Sequence, residues 1–424
     1  MAIARLNRPL LATNFFAGDV TAGFGPYLAI YLLSQLHWET GQIGIALALG
    51  TIVTVIVQTP AGAFIDWTRR KRGLLIVCAA VVGAAALMIV FSDWAPVIFA
   101  AQTLMGASLA FLGPLIAALT LGVVGREMFT RQTGANQAWN HGGNVFAAAI
   151  AAALALQGYV TGVFVLISVM VLGMIVSVLF IKSSDIDYEA ARGGVAAHDD
   201  SGGDKPSGFG AVMADRRLLI FAVCIFLFHF ANAAMLPLVS QKLSLAGDAA
   251  SGIAFTSACI ISAQFIMIGM AMLCGHTADT WGRKPLFILA FAILPIRAVL
   301  YTLTDQSVFL VLIQALDGVA NGIFAIIFLL VISDVTNGTG RFNIVQGALA
   351  TLVGIGASLS NLLAEQIVQL FSYDAGFFFL GAVAAAGFLV FVLFMPETAA
   401  HAISKDPTIS KGGETAGDTG AAAL

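Results

Sequence analysis

The chain has 424 residues, 59% hydrophobic and only 10% charged, with a mean hydropathy of +0.94. Soluble domains carry roughly 25% charged residues, so a water-exposed globular enzyme is excluded. Lys and Arg number 20 against 23 Asp and Glu, and without the concentrated cationic face that a phosphate backbone requires, a nucleic-acid partner is excluded too.

A helix crossing the ~30 Å hydrocarbon core needs about 20 mostly apolar residues. Runs of that size predict twelve transmembrane helices, at 10–33, 41–65, 74–92, 96–124, 134–157, 160–182, 217–240, 250–274, 285–303, 307–333, 343–371 and 375–395. The first run is too long, and too poor in a small-residue cleavage site, to be a removed signal peptide. Arg5, Arg8, Arg69, Arg70, Lys71, Arg72, Arg126, Arg131, Lys182, Arg192, Lys205, Arg216, Arg217, Arg283, Lys284, Arg341, Lys405 and Lys411 all fall on one side of this arrangement. Lys242 falls on the other, and Arg297 lies inside a span. Lys and Arg flanking spans are retained in the cytoplasm, so both termini are expected there, in a multi-pass protein of the cytoplasmic (inner) membrane. Cys78, Cys224, Cys259 and Cys274 lie within apolar runs without metal-ligand spacing; they read as small core residues, with no disulfide, metal or cofactor implied.

The polar stretch from Ser183 to Arg216 holds Gly193-Gly194, Gly202-Gly203 and Pro206 and reads as a flexible linker. It divides an N-terminal six-helix bundle (1–182) from a C-terminal one (217–400), with a flexible cytoplasmic tail at 401–424. The halves match each other. Gly62, Asp66, Arg70 and Lys71 after the second span correspond to Gly275, Asp279, Arg283 and Lys284 after the eighth, and Gln102…Gly106 corresponds to Gln314…Gly318 at nearly the same offset. Parallel repeats of six spans are a transporter architecture.

On these residues the chain resembles the major facilitator superfamily over essentially its whole length. The family's signature, Gly-x3-Asp-x2-Gly-Arg-Lys/Arg, is complete at Gly275, Asp279, Gly282, Arg283 and Lys284, whereas the first copy has Arg69 in place of the second Gly. Pro396-Glu397-Thr398 is similar to the family's usual end to the twelfth span. The resemblance implies an all-α fold of two pseudo-symmetric bundles and a rocker-switch carrier that binds its substrate between them near the midplane. It also implies that each signature loop docks on the opposite half when the cytoplasmic side closes. Arg341 and Arg131, opening the eleventh and fifth spans, are the expected receivers of Asp66 and Asp279; loops that only anchor topology are the alternative.

Polar residues inside spans are functional candidates by default, because a carboxylate at mid-membrane costs roughly 2.5–3.5 kcal/mol. Asp19 in the first span and Asp317 in the tenth qualify, and Glu365 lies nearer an end. With Pro26 and Pro237 as a register, Asp19 falls opposite Phe230, beside His229, so an acid and a histidine are expected to face each other across the pseudo-symmetry axis. Such a pair can carry a proton, or Asp19 is a permanently paired structural acid. Gln137, Asn140, His141 and Asn144 share one face of the fifth span, which must turn to protein or a wet cavity. Gln314, Asp317 and Asn321 make a shorter stripe; Asn14, Gln58, Gln102, Asn232 and Gln264 are further candidates. Arg297 is expected at the depth of Asp317, as a structural ion pair or as a group meeting an ionised substrate. Trp38 and Trp94 suit the outer interface, and Trp139 lies beside the polar stripe.

Coupled transport of a small organic molecule is the reading these residues favour, the partners being the substrate, protons and the lipid bilayer, with the chain acting as a monomer. The family's drug–proton antiporters usually carry an Arg in the fourth span and a Gly-Pro element in the fifth; here Gln102 and Asn140-His141-Gly142-Gly143-Asn144 stand there. The acid in the first span does resemble those antiporters, which points to proton-coupled export, with proton-driven uptake of a polar metabolite as the alternative. A non-transporting receptor would carry an added signalling domain, and a membrane enzyme would need a nucleophile–base or metal-ligand set.

Overall fold

The computed structural model describes residues 6–22, 28, 31–32, 36–38, 40–156, 159, 161–194, 210, 214–239 and 249–399. The side chains of 19, 21–22, 40–44, 47–48, 152, 155–156, 249–257 and 365 lie outside that description. Hydrocarbon supplies no hydrogen bonds to a backbone, so apolar runs satisfy themselves internally as helices. They form α1 (Arg8–Ala22), α2 (Thr40–Trp67), α3 (Lys71–Val90), α4 (Ala95–Leu156), α5 (Gly162–Leu179), α6 (Arg216–Asn232), α7 (Ala249–Trp281), α8 (Arg283–Thr302), α9 (Ser307–Val335), α10 (Phe342–Leu370) and α11 (Tyr373–Phe394).

Ten helices among the described residues are long and apolar enough to cross a membrane. The 62-residue α4 holds two crossings, because at Gly125 the backbone takes φ 67° and ψ 178°, a region open essentially to glycine alone. The chain there leaves its first arm (95–124) and starts a second (126–156). With α1, whose described part is shorter, the fold is the expected all-α arrangement of twelve spans in two pseudo-symmetric bundles. Apolar side chains such as Phe91 and Trp67, 82% and 79% exposed, turn outward as lipid-facing surface.

Each bundle has its own core. In the first, Leu, Val and Ala from α1, α3, α4 and α5 close around Phe164. In the second, Phe221, Phe287, Phe291, Phe324 and Phe391 stack in a continuous aromatic column. The halves meet along two seams, α2 on α10 and the second arm of α4 on α7. Both seams bring backbones together at signature glycines. A Cβ on Gly275 would sit 2.8 Å from Gly134 Cα, and one on Gly62 would sit 2.8 Å from Ile344 Cα.

The start of the stretch expected to be a flexible linker is ordered. Two one-turn helices, Ser183–Asp185 and Ala190–Arg192, bury Ile186, Ala190 and Ala191. Asp187 holds them in place: its N–H donates to Gly122 O at 2.9 Å, and its carboxylate accepts the N–H groups of Glu189 and Ala190. Ile186, Tyr188 and the alanines supply enough apolar surface to fix a segment whose overall composition is polar. Ahead of α6, Asp215 caps the helix by accepting from Arg217 N, and the Arg217 guanidinium beside it holds its carboxyl below the usual carboxylate range.

Gly134→Ala is expected to lower the unfolding temperature in detergent, overpacking being worth about 1–3 kcal/mol. Gly269→Ala on α7, where an added Cβ meets nothing within 4 Å, should leave it unchanged or raise it through helix propensity. Equal melting of the two variants would contradict the backbone contact.

Candidate functional site

The end of the molecule that carries most of the cations holds a set of reciprocal contacts between the halves. Asp66, near the end of α2, is 6% exposed and faces the first turn of α10. Its Oδ1 accepts from Asn343 N at 3.1 Å and Asn343 Nδ2 at 2.8 Å, and its Oδ2 accepts from Ile344 N at 2.9 Å. A carboxylate there satisfies two orphan N–H groups and meets the positive end of the helix dipole. In the other half, Asp279 Oδ1 accepts from Thr130 Oγ1 at 2.8 Å. The pairs stand at one spacing, since 279 − 66 and 343 − 130 both equal 213.

That spacing corrects the expected receivers. Asp66 is held by Asn343 and the adjoining N–H groups rather than by the Arg341 side chain, and Asp279 by Thr130 rather than Arg131. The two arginines are 210 positions apart and so occupy non-equivalent places; Arg131 Nε is buried without a hydrogen-bond partner among the described residues. The signature cations cap helices. Lys71 Nζ donates to Ile65 O at 2.5 Å and Thr68 O at 2.8 Å, closing the end of α2. Arg283 does the same at Ala278 O (2.7 Å) while also meeting Asp279 and Asp334. Arg70 is exposed, and Lys284 engages through its N–H, which with that of Arg283 donates to Glu397.

Gly282 has φ 93° and so needs glycine. At the first copy the chain passes Arg69 without a positive φ, which is how that sequence tolerates the departure. Sequence reasoning missed Asn343, Thr130, Asp334 and Arg126, whose Nη1 donates to Ser333 O across the halves at 2.9 Å. Extending the repeat alignment beyond the signature would have found the first two.

One helical turn from these contacts lies a cavity of about 270 Å³ between the halves. Asn14, Gln137 and Asn140, all expected, line it together with Thr120, Thr133, Asn136 and Gln346, which were not. The polar face of the fifth span therefore starts earlier, at Gln132. From there Gln132 Nε2 donates to Asn136 Oδ1, Asn136 Nδ2 to Thr120 Oγ1, and Asn140 Nδ2 to Asn14 O. The i, i+4, i+8 recurrence of Gln132, Asn136 and Asn140 was visible in the sequence. Asn144 and Gln102 do not line this cavity; Gln102 is buried against Gly50. His141 also lies off it, and its Nδ1 pairs with Gln264 Oε1 across the seam at 2.7 Å. Trp139 is half-exposed, its ring edge-on to Phe15.

The second half holds a separate polar cluster. Arg297, fully buried on α8, donates from Nη1 to Asp317 Oδ1 at 2.5 Å and to Asn232 Oδ1 at 2.8 Å, and from Nη2 to Gln314 Oε1 at 3.0 Å. Tyr301 donates to Gln314, and Asn321 and Gln314 donate to the two oxygens of Asp317. The geometry is that of an ion pair embedded in amides. His229 makes no hydrogen bond to this cluster among the described residues; its ring is edge-on to Phe324 and its Nδ1 is 3.3 Å from Ile225 O. The side chains of Asp19 and Glu365, and Pro26, which set the earlier register, lie outside the described residues. At the gate's spacing the counterpart of Asp19 is Asn232, not Phe230, because 232 − 19 is 213.

Twelve spans in two repeated bundles, with a polar cavity on the seam, define a membrane transporter. A family profile described as Major Facilitator Superfamily matches residues 10–271 and 218–417. The chain is 44% identical over 397 residues to an uncharacterized MFS-type transporter of Mycobacterium tuberculosis strain H37Rv, covering 93% of this chain and 94% of that one; the same figures hold for its counterpart in strain CDC 1551. Among solved structures, the fold is similar to the proton:xylose symporter XylE bound to 6-bromo-6-deoxy-D-glucose (TM-score 0.68, 13% identity, 92% of this chain and 95% of that one). It is also similar to FucP in the outward conformation (TM-score 0.68, 14% identity, 90% and 97%). The chain belongs to the Major Facilitator Superfamily: it is a multi-pass membrane transporter, not an enzyme.

Arg297→Met leaves a carboxylate without its cation and is expected to destabilise the protein by about 3–5 kcal/mol, whereas Arg297→Met combined with Asp317→Leu should recover most of that loss. Denaturant titration of both variants checks it; a double variant worse than the single one would rule out a structural pair.

Proposed function

We propose that the protein is a secondary active transporter that carries a small organic solute across the cytoplasmic membrane by alternating access, coupled to protons in the direction of export. The observation that carries the alternating-access part is the reciprocal pair Asp66–Asn343 and Asp279–Thr130 beside a polar cavity. With the cation-rich end assigned to the cytoplasm, both termini are cytoplasmic and the gate is shut on that side, with the cavity immediately beyond it. Halves 1–182 and 217–400 then rock about the two glycine seams, within a monomer.

Proton coupling rests on Asp19, an acid in the first span with no cation near it in sequence. A proton it carries is worth about 2.3 kcal/mol per 100 mV of membrane potential. Asp317 is the weaker carrier, since Arg297, Gln314 and Asn321 already engage its oxygens. In liposomes, substrate movement driven by a pH gradient should fall to the uncoupled level in Asp19→Asn while counterflow persists; loss of neither would remove Asp19 from the mechanism.

Asp66→Asn keeps one acceptor but sets an NH2 group against N–H donors, forfeiting charge-assisted bonds worth about 1.5–3 kcal/mol each. A cysteine placed at Gln58 should then label about tenfold or more faster from the cytoplasmic side. Unchanged labelling would reduce the signature loops to topology anchors.

A further inference from the structure

Two residues that line the cavity each hold a buried polar atom without a partner among the described residues. Thr133 Oγ1 comes from the second arm of α4 and Gln346 Oε1 from α10, their residues being 3% and 7% exposed. They occupy equivalent places in the repeat, 346 − 133 being again 213, and each lies one helical turn beyond a gate residue, Thr130 or Asn343. A buried polar group left unpaired costs roughly 1–3 kcal/mol, and symmetric placement of two such groups on opposite halves is not expected of packing alone. Other buried amides of the same wall, such as Asn136, are paired.

The rest of the wall limits what fits between them. No Asp, Glu, Lys, Arg or His among the described residues lines the cavity, and Phe328, Leu329 and Ile116 form an apolar side. An ion placed there would find no counter-charge among the described residues of that wall, which costs several kcal/mol. About 270 Å³ falls just below the 300–1,000 Å³ typical of drug-sized ligands, so the occupant is of metabolite size.

We infer that the transported solute is an uncharged, metabolite-sized molecule with at least two hydroxyl or amide N–H donors, and that it bridges Gln346 on one half and Thr133 on the other directly above the closed gate. This deepens the transporter reading and rests on it. Because the two contacts belong to opposite halves, occupancy ties the halves together at the gate, and the solute is released from one of them when the gate opens.

The test uses the purified full chain in detergent and follows thermal unfolding with a matched set of one carbon skeleton, neutral glucitol, anionic gluconate and cationic glucosamine, beside panels of neutral polyols, monosaccharides and small amides and of charged metabolites. At least one neutral compound is expected to raise the unfolding temperature, with ionised counterparts weaker by tenfold or more in Kd. Gln346→Leu and Thr133→Val should each weaken that neutral compound by about tenfold or more, and Gln346→Leu should leave the solute-free protein no less stable. Stabilisation by ions alone, by no neutral compound, or undiminished in both variants overturns the inference, as does a marked loss of stability in solute-free Gln346→Leu, which would mark the amide as structural. Liposome counterflow separates the two readings. Counterflow of an ionised solute alone keeps the transporter and removes the neutral class, and a neutral compound that binds at Gln346 without counterflow removes the transporter and keeps the site.

Discussion

Hydrocarbon will not hydrogen-bond, and the described polar groups inside the spans of this chain are placed under that constraint. It makes the apolar runs helical, and it forces the amides of the fifth span onto the seam between the halves, where Gln132, Asn136 and Asn140 find partners in Asn7, Thr120 and Asn14. It also explains why Arg297 is enclosed rather than merely buried: four side chains from three helices meet its guanidinium. A polar group that breaks this pattern by remaining unpaired is therefore informative, in a way it would not be on a wetted surface.

The same constraint shapes the contacts between the halves at the cation-rich end. Four N–H groups at the start of a helix have no partners within it, and at the head of α10 a carboxylate from the other half supplies acceptors for two of them. Such a contact can be broken at moderate cost, because at the membrane boundary water can replace it. An ion pair of the Arg297–Asp317 type, deep in the bundle, lacks that replacement. Contacts that water can replace thus lie at the ends of the helices and enclosed ones in the middle, which is how Asp66 and Asp279 differ in place from Asp317. The glycine seams let the backbones close to the distance at which side-chain acceptors reach N–H groups across the boundary.

The twelve spans and the repeat were legible in the sequence because hydropathy, cation placement and the signature are each local patterns. The gate partners were half legible. Asp66 and Asp279 stand inside the signature, but their receivers, Asn343 and Thr130, are small polar residues at helix starts, overshadowed by the more conspicuous Arg341 and Arg131. The register was the deeper difficulty. Prolines 26 and 237 gave an offset two short of the 213 that the Asp66–Asn343 and Asp279–Thr130 pairs obey, and so placed Phe230, beside His229, rather than Asn232 opposite Asp19. Gln346 and Thr133 gave no signal at all, since an unpaired atom is a property of packing. The ordered turns at 183–194 were hidden by the polar composition of the longer stretch around them.

The two halves have diverged within their shared frame, and the divergence assigns their work. Among the described residues the second half encloses its mid-span charge in one ion-paired cluster, Arg297 with Asp317. Among the described lining residues the first half supplies the amides and hydroxyls other than Gln346, beside Ala17, Ile116 and Ala117, and the second half adds Gln346 and apolar groups. A pair that neutralises itself contributes little field to a cavity it does not line. Among the described residues the cavity on the seam is lined without charge, so what its walls offer an occupant is hydrogen bonds and apolar contact.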